Sequence, residues 1–501
     1  MNTSAASRMG KRSPSVAIIG TGFSGIGAAI KLEQAGFENL TIFERADGIG
    51  GVWRHNTYPG AASDVPSFAY SYSFEPNPRW SRACAPQIEI QRYLEHCAAK
   101  HGLTEHLRFG TEIAGAVFDA ERGKWTLETT QGDRHEFDIV VAASGQLTVP
   151  RFPNVEGLDS FEGAMFHSAL WDNDHDFTGE RVAVVGNAAS AVQLVPQLAK
   201  QARQLTVFQR SAEYLIPKPD FAIPEWLKDL QGAVPATLEA QRLMYWLMGE
   251  WWNVSITLPM PKRARQLWNA PFQLATRAQL RLQVRDPELR EKLTPNYEMF
   301  CKRAVLSSNY YPAVTKSTSE VVTDAITEIT PNGVVTDDGV KRNFDTIVFA
   351  TGFQANGFVA PMKVTGLDGR ELNEVWQGSP QAYLGMSVPG FPNFFLMYGP
   401  NTNLGGGSVV YMVECQARYI ADAIRKLVTS GAKYLDVKQD VYDAHSAETQ
   451  RRLKGSVWAN GGCTSWYKSD DGKVTNNWQG LMSEYRLRTR RLNLSNYELA
   501  K

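Results

Sequence analysis

Gly20, Gly22 and Gly25 stand at the spacing GxGxxG, directly after the apolar run Val16 to Ile19 and before a stretch of helical period through Ile30 and Leu32. That arrangement suits a dinucleotide. Gly20 turns the chain, Gly22 admits a pyrophosphate to the backbone, Gly25 lets helix and strand pack closely, and the helix N-terminus offsets the phosphate charge. Phe23 and Ser24 complete the turn. After the next apolar run, Leu40 to Phe43, Glu44 offers a carboxylate to ribose hydroxyls, with Arg45 beside it. A weaker copy follows. Val182 to Val185 leads into Gly186, Asn187, Ala188, Ala189, Ser190 and Ala191, which keeps only the first glycine. Its second strand, Leu205 to Phe208, is followed by Gln209 and then Arg210, as far from Gly186 as Glu44 is from Gly20. A guanidinium in place of the acid suits a 2'-phosphate, so NADPH is expected over NADH.

These turns need strands and helices to hold them. The repeated order of strand, glycine turn and helix predicts an α/β fold with two Rossmann-like dinucleotide-binding domains. At 501 residues the chain is also too long for one core. Asp138 to Val141 runs into Ala142, Ala143, Ser144 and Gly145, with Pro150 and Pro153 beyond, and reads as a strand ending at a domain crossover. Asp345 to Phe349 runs into Ala350, Thr351, Gly352 and Phe353 in the same way. The expected division is 1–150 with 354–501 for the first domain, 151–216 with 301–353 for the second, and 217–300 as a helical insert in the second. Within the insert, Leu243 to Met260 is interrupted by Gly249, Glu250, Asn253 and Pro259, short of a membrane span. A buried or pocket-lining helix is the reading there, membrane contact the alternative; Trp246, Met248, Trp251 and Trp252 could line a substrate channel or pack a helical core.

Lysine plus arginine equal aspartate plus glutamate at 52 each, with no long block of one sign, which argues against a nucleic-acid partner. The five cysteines, Cys84, Cys97, Cys301, Cys415 and Cys463, include no CxxC pair, so neither zinc nor a dithiol redox centre is expected. They read as reduced thiols. The segment before Val16 is polar and basic without an apolar stretch, and reads as a loose terminus rather than a secretion signal. A cytoplasmic protein without a membrane partner, monomeric or homodimeric, is the expectation.

Paired dinucleotide units suit disulfide reductases, amine oxidases and flavin monooxygenases alike. The linker separates them. Phe161, Gly163, His167 and Trp171 spell FxGxxxHxxxW, followed by Asp172, and this resembles the fingerprint of type I Baeyer–Villiger monooxygenases. Gly50, Gly51, Trp53, Tyr58, Pro59, Gly60 and Asp64 match that family's GGxWxxxxYPGxxxD. The resemblance continues through Cys301, Lys302, Arg303, Tyr310 and Tyr311, Gly399 to Leu404, and Ser465 to Tyr467. It departs at Trp478, Gln479, Gly480, where Trp-Pro-Gly is usual.

The resemblance implies FAD and NADPH as cofactors, O2 and a small apolar ketone as co-substrates, and an ester or lactone as product, formed through a flavin C4a-peroxide. Oxidation of sulfur or nitrogen is the rival activity, and sulfoxidation is a side activity the resemblance also admits. Arg303 is implied as the arginine over the flavin and Asp64 as its carboxylate partner. A guanidinium stabilises developing negative charge without an easily lost proton. Lys302 is implied at the NADPH 2'-phosphate and Trp466 at the nicotinamide cofactor. Gly51, Trp53, Tyr70 and Gly145 join the glycine turns, Glu44, Arg45 and Asp64 as candidate cofactor contacts. His167 reads as a conformational element of the linker, with proton transfer the alternative. No metal is expected.

Overall fold

The fold is that of a computed structural model describing residues 13–501; most of the stretch before Val16 lies outside the described residues. Two five-stranded parallel sheets carry the molecule. In the first, the strands follow the order Phe394–Leu396, Ile139–Ala142, Val16–Ile19, Leu40–Phe43 and Leu107–Arg108. In the second the order is Ser319–Val322, Gln204–Phe208, Arg181–Val185, Thr346–Phe349 and Ala164–His167. Val16, Ala17, Ile18, Val182, Ala183 and Val184 are wholly buried, as near-continuous apolar strands covered on both faces must be.

In each sheet the strand before the glycine turn has its successor on one side and a later strand on the other. The carboxyl end of that strand is a topological switch point, where α/β sheets open a crevice for ligand. Gly20 and Gly186 sit in the two crevices with φ of +107° and +114°. A Cβ on Gly20 would lie 2.6 Å from the Ala143 carbonyl oxygen, and one on Gly186 would lie 2.5 Å from that of Ala350. The two alanines are those of the two crossover segments, so one steric device is built twice.

The crossovers run side by side. Arg151 N donates to Gly352 O and Gln354 N to Val149 O, both at 2.9 Å, and Pro150 bridges Phe353 in antiparallel sense.

The stretch expected to be helical forms the helices Glu225–Ala233, Pro235–Thr257, Lys262–Trp268, Ala270–Gln283 and Pro287–Lys292. Asn253 holds the second of these to the Gly405–Gly407 loop by a reciprocal pair, Nδ2 to Gly406 O and Gly406 N to Oδ1, each 3.0 Å. The Glu250 carboxylate accepts from the backbone of Met482 (3.1 Å) and Ser483 (2.6 Å). The expectation of a buried helix holds for one face only. Tyr245, Gly249 and Asn253 are buried, whereas Leu243, Met244, Leu247, Met248 and Trp251 are exposed. Hydrophobic sequence alone does not say which side of an insert is covered. Among the described residues no helix is long and apolar enough to cross a membrane.

The reading of all five cysteines as reduced thiols fails at one pair: Cys301 and Cys463 form a disulfide, while Cys84, Cys97 and Cys415 are free and buried. The partners are 162 positions apart, so no local spacing announces them. Gly461 lets them meet, since a Cβ there would lie 2.5 Å from the Cys301 Cβ.

Candidate active site

In the first crevice Gly22 precedes the helix Phe23–Gln34, which buries Phe23 and Gly25 and leaves Ser24 partly exposed. A Cβ on Gly25 would overlap the Gly20 carbonyl, which is the close helix–strand approach expected of it. Gly51, at φ +54°, backs onto Gly22, where its Cβ would come within 3.0 Å of the Gly22 Cα. Two bare backbones thus form a cradle that side chains would fill, and the residues fit a pyrophosphate. Glu44 does more than expected. Its buried carboxylate accepts from the backbone and hydroxyl of Thr21 (2.9 and 2.6 Å) and from Ala46 N (2.9 Å). A carboxylate has about four acceptor positions, so it shapes the turn and keeps capacity for a ribose hydroxyl. Arg45 lies outward, 4.0 Å from Glu112. Trp53 Nε1 donates to Tyr70 Oη at 3.2 Å, edge to face with that ring, and Gly145 takes φ +75° with open space around it.

In the second crevice Ala189 and Ser190 begin the helix Ala189–Leu198, preceded by Ala188 in an unstrained extended conformation. Asn187 Nδ2 donates to Gln209 Oε1 (3.0 Å) and Ser211 O (2.8 Å), tying the turn to the end of the neighbouring strand. Arg210 is exposed there. Lys302 reaches the same place but is not free: Nζ donates to Ser211 Oγ at 2.6 Å and to Glu213 Oε1 at 3.0 Å. Burial raises the Glu213 carboxyl above its ordinary range and Lys302 pulls against that rise. Among the described residues Arg210 has no salt-bridge partner, so it is available to a 2'-phosphate, with Lys302 and Ser211 beside it, and the residues fit NADPH.

Arg303 and Asp64, distant in sequence, meet with Nη2 to Oδ2 at 3.4 Å. The Asp64 side chain is buried. Half of the Arg303 surface stays open to a cleft although protein surrounds it. Burial opposes the guanidinium charge, but the Asp64 carboxylate outweighs it and raises the Arg303 pKa; Tyr467, Tyr398 and Tyr70 stand nearby. Burial pushes the neighbouring Tyr58 and Tyr467 hydroxyls up to about 12. The cleft thus holds one permanent cation, its counter-ion and neutral phenols.

A residue outside every motif completes the pair. Gln193, from the helix of the second crevice, donates to Asp64 Oδ1 (3.2 Å) and Ala62 O (2.9 Å), and accepts from Tyr58 Oη (3.0 Å) and Ala62 N (3.3 Å). A Cβ on Gly60 would lie 2.6 Å from the Gln193 carbonyl. Tyr58, Gly60 and Asp64 of the second motif therefore form the surface on which the other nucleotide unit docks. The one available clue was a polar side chain flanked by the buried Val192, Leu194 and Val195.

The fingerprint residues lie apart from this pair. Gly163 is required because a Cβ would overlap the Asp345 carbonyl and the Phe161 ring. His167 ends the strand Ala164–His167 with no exposure; Nδ1 accepts from Ala169 N at 3.1 Å, and burial lowers its pKa. Phe152 and Phe353, one from each crossover, pack edge-on against its ring. Trp171 stacks on Phe177 and with Arg54 and His55 lines a cleft of about 440 Å³. Asp172 caps the turn at Asp174 N, 3.0 Å. Trp466 is partly exposed against Tyr467, with ring centroids 4.6 Å apart.

Two dinucleotide crevices, joined through a glutamine to an arginine–carboxylate pair, define a pyridine-nucleotide-linked flavoprotein. Residues 13–220 match the family described as flavin-binding monooxygenase-like. The chain is 42% identical to a Baeyer–Villiger monooxygenase of Streptomyces coelicolor over 97% of its own length and 92% of that protein's. It belongs to the Baeyer–Villiger monooxygenase family. A relative of the same name from Pseudomonas aeruginosa is 41% identical over 97% of this chain and 91% of that one. Among solved structures, an oxidized steroid monooxygenase bound to NADP shares 30% identity at a TM-score of 0.83, covering 98% of this chain and all of that one. A closed cyclohexanone monooxygenase shares 28% at 0.85, covering 97% and 99%.

Proposed function

We propose that this chain oxidises a small apolar ketone to its ester or lactone in the cleft at Arg303, with FAD in the Gly20 crevice and NADPH in the Gly186 crevice. FAD supplies the oxygen chemistry there: NADPH provides the electrons, one atom of O2 enters beside the carbonyl carbon, and the other leaves as water. The observation that carries this reading is the Arg303–Asp64 contact of 3.4 Å among phenols. Negative charge grows on the ketone oxygen as the carbonyl carbon is attacked, and a fixed cation that cannot give up its proton stabilises it. Asp64 aims the guanidinium and balances its charge. Beside that pair stand the rings of Tyr70, Tyr398 and Tyr467, which favours an uncharged substrate. The proposed division is 1–150 with 354–501, 151–216 with 301–353, and 217–300; the assignment of strands to two separate sheets supports it.

Purified holoenzyme given NADPH, O2 and a mixed panel of cyclic, linear and aryl ketones with thioethers is expected to yield esters, with oxygen uptake matching NADPH consumed. Sulfoxides without any ester would sink the reading.

Gln193 is a positioning residue acting through Asp64. Gln193→Leu removes the donor to Asp64 and the acceptor for Tyr58 together. The variant is expected to keep its flavin and its NADPH oxidation, while ester formed per NADPH consumed falls about tenfold, the scale of one hydrogen bond to a charged group. A purely structural role would lower stability and leave that ratio unchanged.

A further inference from the structure

The outer face of the helix Pro235–Thr257 is unlike the rest of the surface. Leu243, Met244, Leu247, Met248 and Trp251 recur at helical spacing along it, each 37 to 65% exposed. At its end Trp251 stacks on Trp268, with ring centroids 5.5 Å apart, and packs on Phe272, which ties it to Lys262–Trp268 and to the inward side of Ala270–Gln283, where Phe272 also meets Trp252 and Phe300. Elsewhere on those two helices Leu267, Leu274 and Leu282 are 65 to 79% exposed. Apolar side chains scattered singly over a surface need no explanation, but a contiguous set such as Leu243 to Trp251 on one helix face marks an interaction site.

The charges around the stripe select its partner. From Trp251 to Arg285 the chain carries Lys262, Arg263, Arg265, Arg277, Arg281 and Arg285 and no acidic residue, with the acids Glu239, Glu250 and Asp286 standing outside that run. Arg265 turns inward to Glu298. The other five are exposed, and among the described residues none forms a salt bridge. On Ala270–Gln283 the exposed Leu274, Arg277, Arg281 and Leu282 share one helical face. A two-fold contact between copies would bring this acid-free run of five exposed cations against the same patch on the partner. A nucleic acid would leave the leucines and methionines without partners.

We propose that this face of the insert docks on an anionic phospholipid bilayer, with the Leu243–Trp251 stripe entering the headgroup and acyl boundary and the five cations meeting lipid phosphates. An amphipathic helix with Trp and Leu on one side and basic residues alongside lies in the interface plane in this way without spanning it. The inner face of the same helix carries Tyr245, close enough to Arg303 to feel its charge, so the helix stands between the bilayer and the cleft.

The test is cosedimentation of holoenzyme with unilamellar vesicles of phosphatidylcholine and phosphatidylglycerol, beside vesicles of phosphatidylcholine alone. Binding to the anionic vesicles only, weakened by salt, is expected. Arg277→Gln with Arg281→Gln should weaken it roughly fivefold for each cation removed. Met244→Glu with Leu247→Glu should abolish it, while both variants oxidise NADPH with a water-soluble ketone at the unsubstituted rate. No sedimentation with either vesicle, or equal binding to both, overturns the proposal. So does a dimer in sedimentation velocity that the glutamates disrupt without any vesicle binding, which would make the face a contact between copies.

Discussion

Arg303→Ala is expected to lower ester formation roughly 10²–10³-fold, the effect of deleting one preorganised charge donor from a developing oxyanion, while flavin content and NADPH oxidation persist. The expectation rests on where the side chain sits. Its partner Asp64 is buried and also held by Gln193, so removing the guanidinium leaves a carboxylate without its counter-ion rather than a collapsed cleft. An arginine keeps its proton at any working pH, and Asp64 holds that charge in place. The pH dependence of the wild-type rate should therefore contain no step from Arg303, and that of the variant should lose none. Product analysis beside NADPH consumption reads both quantities. Ester formation within a few-fold of wild type would remove Arg303 from its role.

Gly22→Ala is expected to separate folding from flavin binding. Its φ of −74° suits any residue, and an added Cβ meets nothing nearer than the Gly51 Cα at 3.7 Å. The apoprotein therefore has no reason to object to a methyl group. A bound pyrophosphate does, because the methyl stands where a phosphate oxygen approaches the backbone. Loss of one such charged hydrogen bond weakens flavin about 10- to 100-fold, with thermal unfolding of the apoprotein unchanged. Gly25→Ala, whose Cβ would overlap the Gly20 carbonyl, should lose stability and flavin together. Fluorimetric flavin release on dilution, alongside circular dichroism of the apo forms, distinguishes them. Unaltered flavin affinity in Gly22→Ala would mean that the cradle at Gly22 and Gly51 does not hold the pyrophosphate.

Local rules made part of this molecule legible. Val16–Ile19, Gly20 and Phe23–Gln34 are neighbours along the chain, and strand, turn and helix follow from apolar period and glycine alone. The family was legible because its motifs are packing constraints with few solutions, as at Gly163 beneath Phe161 and Gly60 against Gln193. What stayed hidden lies between distant segments. Gln193 meets Asp64 across the two nucleotide units, Lys302 is engaged by Glu213, and Cys301 finds Cys463 across 162 positions. The outward stripe of the insert was also illegible, since Leu, Met and Trp at helical spacing announce an apolar face without saying what covers it.

The paired crossovers also set the mechanics of the molecule. Val149–Arg151 and Gly352–Gln354 are the two strands by which the chain passes between its sheets, and they are hydrogen-bonded to each other. Together they act as one hinge pin, about which two bodies could still swing. Gln193 against Asp64, and the covalent tie two residues before Arg303, are latches set away from that pin. The first can release and re-form within a turnover; the second cannot without a reductant. Any swing about the pin is thus confined to what the Cys301–Cys463 tie allows, and Arg303, two residues along from that tie, is confined with it.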